Sequence, residues 1–559
     1  MLNISRILSL IGFSLLAACV ATEAPPLALK EDARVAVEMN AAGATAADRI
    51  ATDLAYLADD ARAGREAGTE GYEEAARYVA ARFDALGLEA AGDRGGWFQS
   101  VTLRSVKCDP DAASFVVTQS GGAAQTLAHL EDYVIGRSMA EREFSVEAPI
   151  VFVRHGLVAP EVGLNDYAGV DARGKIVIVY SGAPDLFDSE KRAFYQSTDN
   201  KIKTAAANGA VGFITLPSES FLKRFTWDRL TKSIEREAMT WVHPDGVGEV
   251  SAASIKATAT LSPEGAEKLF ANTSTGFAEI RAIMEDKERA GDLAAFDLGK
   301  SVALKGASAF EEKKSSNVAG LIQGSDKSLD DEIIVLTGHL DHVGVYEPRK
   351  GGDDFIHNGA MDNAMGISTM LEVARSFQSG VAPKRSILFL AVTAEEKGLL
   401  GADYFVNYPT VDEDIVANVN LDMPLTLFPF SDVIAFGAER STLGGLVKEA
   451  AGSMNIGVTP DPIPEQGIFT RSDHYRFVEK GVPSVFLIVG FGAGGEEIFS
   501  NFMKEHYHQP SDDLALPIDY ASAARFAELN YRIARSIADA PAAPSWIAGD
   551  FFATQFAGE

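Results

Sequence analysis

Beyond Lys313 the chain is built from short, almost wholly apolar runs, Ile333 to Leu336, Ile387 to Val392, Ile415 to Leu421, Val433 to Phe436 and Val485 to Val489, set between stretches of helical period. Such runs read as strands buried on both faces, so this half of the chain predicts an α/β fold: a mixed, mostly parallel sheet flanked by helices. The runs also end alike. His339 and Asp341 follow the first, Glu395 and Glu396 the second and Asp422 the third, while His508 stands in a loop after the last. In open α/β sheets that edge borders the crevice where ligands bind. Carboxylates converging there without partners would repel one another and suffer desolvation, and a cation is the economical explanation.

Histidine placement points the same way. Of 9 histidines, His339, His342, His357, His474, His506 and His508 all fall in this stretch. A carboxylate beside His339 can take one imidazole N–H and fix the tautomer that offers the other nitrogen to a metal, although a satisfied structural His-Asp pair reads equally well. The segment Asn358-Gly359-Ala360-Met361-Asp362-Asn363-Ala364-Met365-Gly366 is a glycine-bounded loop entering a helix with Ile367, Met370, Leu371, Ala374 and Phe377 as its core face. A lone aspartate there is most often a helix cap.

The 559 residues allow two to four domains at about 150 residues each. With 50 Lys and Arg against 79 Asp and Glu the formal charge is −29 and no basic stretch interrupts it, which excludes nucleic acid and anionic membrane surfaces as partners. The 2 cysteines, Cys19 and Cys108, are too few for a disulfide framework. Residues 1–18 carry one positive charge, Arg6, and an apolar run from Ile7 to Ala18 shorter than the ~20 residues a membrane span needs, and they read as a signal peptide. Residues 19–46, rich in Ala, Pro and Glu, read as a tether. A first segment of the α/β unit is expected over 47–110, with an amphipathic helix presenting Ala75, Val79, Phe83 and Leu86 and stopped by Gly87. Short β-branched runs between Gly and Asp turns make 111–309 a separate β-rich insert, 310–540 completes the α/β unit, and 541–559 reads as a loosely docked tail.

The series Gly-His-Leu-Asp-His, Gly-Ala-Met-Asp-Asn-Ala, Ala-Glu-Glu-Lys-Gly, Asn-Leu-Asp-Met, Arg-Ser-Asp-His and Tyr-His-Gln-Pro-Ser-Asp, in that order, resembles the two-zinc aminopeptidases related to glutamate carboxypeptidases and the transferrin receptor. The insert, with Gly174-Lys175-Ile176-Val177 and Ala205 to Gly212, resembles the protease-associated domain that interrupts many members. The resemblance implies a zinc exopeptidase fold and two Zn²⁺ ions. Asp362 would bridge them, His339 and Asp422 would complete one ion's ligands, and Glu396 and His508 the other's. It implies Glu395 as general base acting on a zinc-bridged hydroxide, Asp341 as the partner of His339, and a cis Asp362-Asn363 peptide. Arg471 and His474 lie in a motif common among these enzymes and are candidate substrate contacts. The function implied is an exported zinc exopeptidase acting on peptides, an aminopeptidase by preference, with a carboxypeptidase or dipeptidase of the glutamate-carboxypeptidase type as the rival. A non-catalytic binding protein fits less well because all five ligands and Glu395 are present, and a glutaminyl cyclase fits less well because cyclases do not usually carry the insert. Leu16-Ala17-Ala18-Cys19 resembles the bacterial lipoprotein box. It implies lipidation of Cys19, membrane contact through that anchor alone, and the periplasmic face of an outer membrane, or the periplasm or exterior without lipid.

Other signals carry less. Gly490-Phe491-Gly492-Ala493-Gly494-Gly495 matches a dinucleotide fingerprint, but Glu496 and Glu497 follow where a pyrophosphate needs positive potential, so it reads as a mobile rim loop. Neither His-Glu-x-x-His nor Gly-x-Ser-x-Gly occurs. Phe428, Pro429 and Phe430 are candidates to line an apolar pocket, and His342, His357 and His506 read as flanking residues.

Overall fold

The computed structural model describes residues 29–558, except residues 43, 44, 120, 235, 288 and 290. The apolar leader and Cys19 lie outside the described residues. The five apolar runs are strands, Glu332–His339, Ser386–Val392, Asp414–Asn420, Asp432–Phe436 and Ser484–Val489. Glu332–His339 lies between Ser386–Val392 and Asp414–Asn420, parallel to both, and Ser484–Val489 extends the parallel set beyond Asp414–Asn420. Antiparallel pairings come at the flanks, with Asp432–Phe436 on one side and the end of Phe296–Ile322 on the other. Parallel neighbours place their C-terminal ends on one edge of the sheet, and this is what gathers the histidine and the acids.

Alternation along the strands gives the sheet two buried faces. Ile334 and Leu336 pack under helices Met365–Gln378 and Tyr520–Asp539, while Ile333 and Val335 meet Ala402 and Phe405 of helix Leu400–Asn407 on the other side. The helix foreseen near Thr69 spans Glu70–Leu86. The Thr69 side chain accepts from Tyr72 N–H, and Gly87 closes the helix at φ 81°, where a side chain would be strained.

Three expectations of domain organisation change. Order begins before residue 47: helix Glu31–Ala42 buries Ala33 and Ala36, and Asp32 pairs with the buried Arg62. Its alternating charges hid a narrow alanine face. The insert is not set off at 111 and 309, because two long strands, Phe98–Gln119 and Phe296–Ile322, run through both boundaries and pair from Phe98↔Val318 to Gln119↔Lys300. The insert is β-rich and carries helices as well. Glu143–Phe152, Ile176–Tyr180, Gly212–Leu216 and Ala257–Leu261 form a parallel sheet, with helix Thr198–Ala207 in one of its connections and helix Pro263–Phe270 after its last strand. The C-terminal stretch is packed, not loose: Trp546, Phe551 and Phe552 are buried, and Trp546 Nε1 donates to Gly481 O at 2.7 Å. Among the described residues no helix is long and apolar enough to cross a membrane.

Candidate metal centre

His339 ends the central strand and is 1% exposed. Asp422 lies two residues beyond the parallel strand on one side, Glu395 and Glu396 beyond the strand on the other. Asp362 occupies the tight loop before helix Met365–Gln378, with a cis peptide to Asn363. His339 Nε2 lies 3.3 Å from Asp362 Oδ1 and 3.3 Å from Asp422 Oδ1. His508 Nε2 lies 3.2 Å from Asp362 Oδ2 and 3.1 Å from Glu396 Oε2. Asp362 therefore offers one oxygen to each of two clusters. Donors about 2.0–2.1 Å from a tetrahedral ion are separated by about 3.3 Å, and these four distances fit that edge.

The satisfaction of the buried polar atoms gives a second test. Asp362 Oδ2, Glu396 Oε1 and both nitrogens of His342 are buried without a hydrogen-bond partner, although His342 Nδ1 is only 2.8 Å from Glu396 Oε1. Orphaned buried acceptors beside imidazoles are costly in a protein alone and are what a cation relieves. His342, Asp362 and Glu396 also lie close enough together to converge on one ion, which places His342 directly against the second cluster.

The electrostatics separate the two adjacent glutamates. Burial raises the Glu395 carboxyl well above its ordinary range, Glu396, Asp473 and Asp422 add to the rise, and His339 opposes it. Burial and Asp362 also work against ionisation of Glu396, but His508 and His342 outweigh them and hold it at about 2. Asp362 is held well below the usual range despite burial, by His342, His339 and His508. Adjacent carboxyls pushed in opposite directions are the mark of a split in duty, one fixed as an anion and one able to carry a proton.

The loops are stitched together by residues that the sequence reading did not single out. Asn363 Nδ2 donates to His339 O and Leu421 O at 3.3 and 2.9 Å, and its Oδ1 accepts from Gly366 and Met423 N–H. Asp512 accepts from the backbone N–H of Met361 and Asp362 at 2.8 and 3.0 Å, tying the His508 loop to the Asp362 loop. Ser472 Oγ donates to Asp422 Oδ2 at 2.6 Å, which leaves Oδ1 for the cluster. Asn363, Asp512 and Ser472 each lie inside a quoted motif, which was the available signal.

Several placements differ from expectation. Asp341 does not hold His339 through its side chain: His339 Nδ1 is 3.0 Å from the Asp341 backbone O, while the Asp341 carboxylate accepts from Glu395 and Glu396 N–H. The strand ends at His339, so the alternation that would put residues 339 and 341 on one side stops there. His474 is fully buried between Phe469 and Phe486 and does not line the cavity above the cluster. Phe428 and Phe430 pack in the core, and Gly495 begins helix Gly495–Glu505, so the glycine stretch is a helix entrance. Arg471 does reach the cavity above the cluster, about 470 Å³, whose floor holds His339, Asp362, Glu395, Asp422 and His508 and whose walls include Leu425, Ile468, Ile488, Phe491 and Phe499. A larger cleft of about 570 Å³ between the insert and the 397–407 region holds none of the cluster residues.

Residues 317–534 match peptidase family M28. That segment belongs to the family. The M28 segment contains every cluster residue. The chain is 31% identical over 213 residues to the aminopeptidase YwaD of Bacillus subtilis, covering 37% of this chain and 41% of that one. It is 26% identical over 221 residues to a probable glutamate carboxypeptidase of Arthroderma benhamiae, covering 35% and 26%. The chain thus spans less than half the length of these relatives. Among solved structures, an aminopeptidase from Aneurinibacillus sp. strain AM-1 aligns with 92% of this chain and 98% of its own at 18% identity, with a TM-score of 0.47.

Proposed function

We propose that the chain is a zinc-dependent exopeptidase, in the first place an aminopeptidase. The observation that carries this reading is the division of the Asp362 carboxylate between two donor clusters on the floor of one cavity, beside a glutamate free of both. His339, Asp362 and Asp422 would hold one Zn²⁺, and Asp362, Glu396 and His508, with His342 against them, the other. Bound there, the ions would supply an acidified water and polarise the scissile carbonyl.

The remaining work falls to the chain. Glu395, with its raised affinity for a proton, takes the proton of the attacking water and delivers it to the leaving nitrogen. Ser472 and Asn363 keep Asp422 and the strand ends in place while charge develops. The apolar walls of the cavity suit a large apolar side chain and exclude water from it. The likeness to the aminopeptidase YwaD supports the aminopeptidase reading. Arg471 at the cavity and the glutamate-carboxypeptidase relative support the rival, in which a C-terminal carboxylate is bound.

The zinc-loaded protein should be tested against peptides blocked at either end. Cleavage abolished by N-terminal acetylation and indifferent to C-terminal amidation is expected; the reverse pattern establishes the carboxypeptidase. We read the leader and Cys19 as export and a lipid anchor, which metabolic labelling with a fatty acid and its loss in Cys19→Ala would test. The insert is read as a protease-associated domain on its sequence texture.

A further inference from the structure

We propose that the turn Asp60–Glu66, contributed by the N-terminal segment outside the M28 match, is a positioning clamp for the metal-bearing loops, with Arg65 as its central residue. This rests on the zinc reading of the cluster. Arg65 is fully buried, yet its guanidinium donates to none of the nearby carboxylates. Nε donates to Leu340 O at 3.0 Å, Nη1 to Asn358 O and Leu57 O at 2.6 Å each, and Nη2 to Gly359 O at 3.0 Å. Leu340 stands between His339 and Asp341, and Asn358 and Gly359 lead into the Asp362 loop. One planar fork therefore fixes the spacing of two ligand-bearing loops.

The neighbours of Arg65 extend the clamp. Arg65 O accepts from His342 N–H at 3.3 Å. Glu66 Oε1 accepts from Lys397 Nζ at 2.7 Å, which ties down the turn just after Glu396. Asn358 Nδ2 donates to Ala58 O at 2.9 Å and Asp60 Oδ1 at 2.8 Å. The backbone is shaped for this closeness: Ala63, Gly64 and Arg65 are all left-handed, at φ 47°, 66° and 49°. A Cβ on Gly64 would lie 2.6 Å from both Gly344 O and His357 O. Non-glycine residues held in that region persist where surrounding contacts over-determine them.

Charge and geometry make opposite demands, and this allows a test. A fixed cation beside Asp341, Asp362 and Glu396 disfavours a bound cation, so if charge were its main effect, removing it would tighten zinc. If the fork positions the loops, removing it loosens zinc, by the 10–100-fold typical of groups that orient metal ligands. Arg65→Met removes charge and fork; Arg65→Lys keeps the charge, but one ammonium cannot span four carbonyls on separate segments. The full chain, loaded with zinc, should be challenged with a chromogenic chelator, and its melting temperature measured with zinc and with EDTA. Both variants are expected to release zinc about 10–100-fold faster and to show a smaller gap between the two melting temperatures. Unchanged release with both temperatures lowered equally would reduce Arg65 to a structural role, and tighter zinc in Arg65→Met would assign it to charge; either overturns the clamp. Should neither Arg65 variant fold, Lys397→Met takes their place. Several-fold faster release of one of two ions supports the clamp and no change rejects it. A wild-type protein that binds no zinc would sink the zinc reading itself.

Discussion

The edge of the M28 segment that carries the two donor clusters and the interior of the insert both bury titratable groups, and they resolve the cost in different ways. In the insert, Lys201 is 2% exposed and donates to Tyr180 O and Gly182 O, His155 Nδ1 reaches Tyr180 O at 3.1 Å, and Asp166 accepts from His155 and Leu157 N–H. Burial pushes Lys201 down to about 7, and burial with Lys201 nearby pushes His155 down to about 3. The cost is met by backbone, by loss of charge and, at Asp166, by the Arg154 guanidinium 3.1 Å away. At the sheet edge Asp362 and Glu396 are held as anions by the neighbouring imidazoles and leave acceptors without donors. A buried group closed by backbone is part of the fold, whereas buried acceptors left open toward each other are what a cation would relieve.

The most severe test of that contrast is a pair of substitutions. Glu395→Gln should cut turnover by about 10³-fold with zinc content unchanged, as expected for loss of a general base, while Lys201→Met in the insert should leave kcat as it was. Appreciable hydrolysis by Glu395→Gln would remove its role. Next in size, Asp362→Asn should weaken zinc by about 100-fold or more, because both clusters share that carboxylate; metal analysis after dialysis against chelator reads it. Chelation of the wild type should deprotect amides around residues 339–342, 359–365 and 395–398 and leave the insert strands Ile176–Tyr180 and Gly212–Leu216 untouched. Equal deprotection of both regions in hydrogen exchange would erase the distinction. A smaller effect is expected at the cavity wall, where Ile488→Ala should lower the preference for leucyl over alanyl substrates by about tenfold in kcat/KM.

The smallest effect has opposite signs in the two regions. His155 is depressed from 6.5 to about 3, so its contribution is full above pH 6.5 and is lost as pH falls toward 3. His508 in the metal-free protein is raised from 6.5 to about 10, because Glu396 and Asp362 outweigh burial; its contribution is full below pH 6.5 and is lost as pH rises through 10. Hydrogen exchange across pH on the chelated protein should show the insert loosening on the acid side and the metal loops on the alkaline side. The same direction in both would contradict the assignment.

Much of this was legible in the residues. Uninterrupted apolar runs such as Ile387 to Val392 declare buried strands, and acids at their ends declare a shared edge, because neither pattern is stable in another setting. The helix Glu31–Ala42 was not legible, since two alanines make a faint face. Nor was the route of the Asp341 side chain, which depends on where a strand stops to the residue. Arg65 was the least legible: its four partners are carbonyls, which every residue has, so nothing in the spelling of the sequence marks them.

The two long strands Phe98–Gln119 and Phe296–Ile322 have a practical consequence for anyone wishing to dissect the molecule. They pair with each other along their length, one carrying Ser386–Val392 at its far end and the other reached by Ala238–Trp241 from the insert. Excising the insert would halve both strands and expose hydrogen-bonding edges that are now covered, an invitation to aggregation. The insert is less a cargo carried on the α/β unit than one end of a shared beam whose other end pairs with the strand that leads to Glu395.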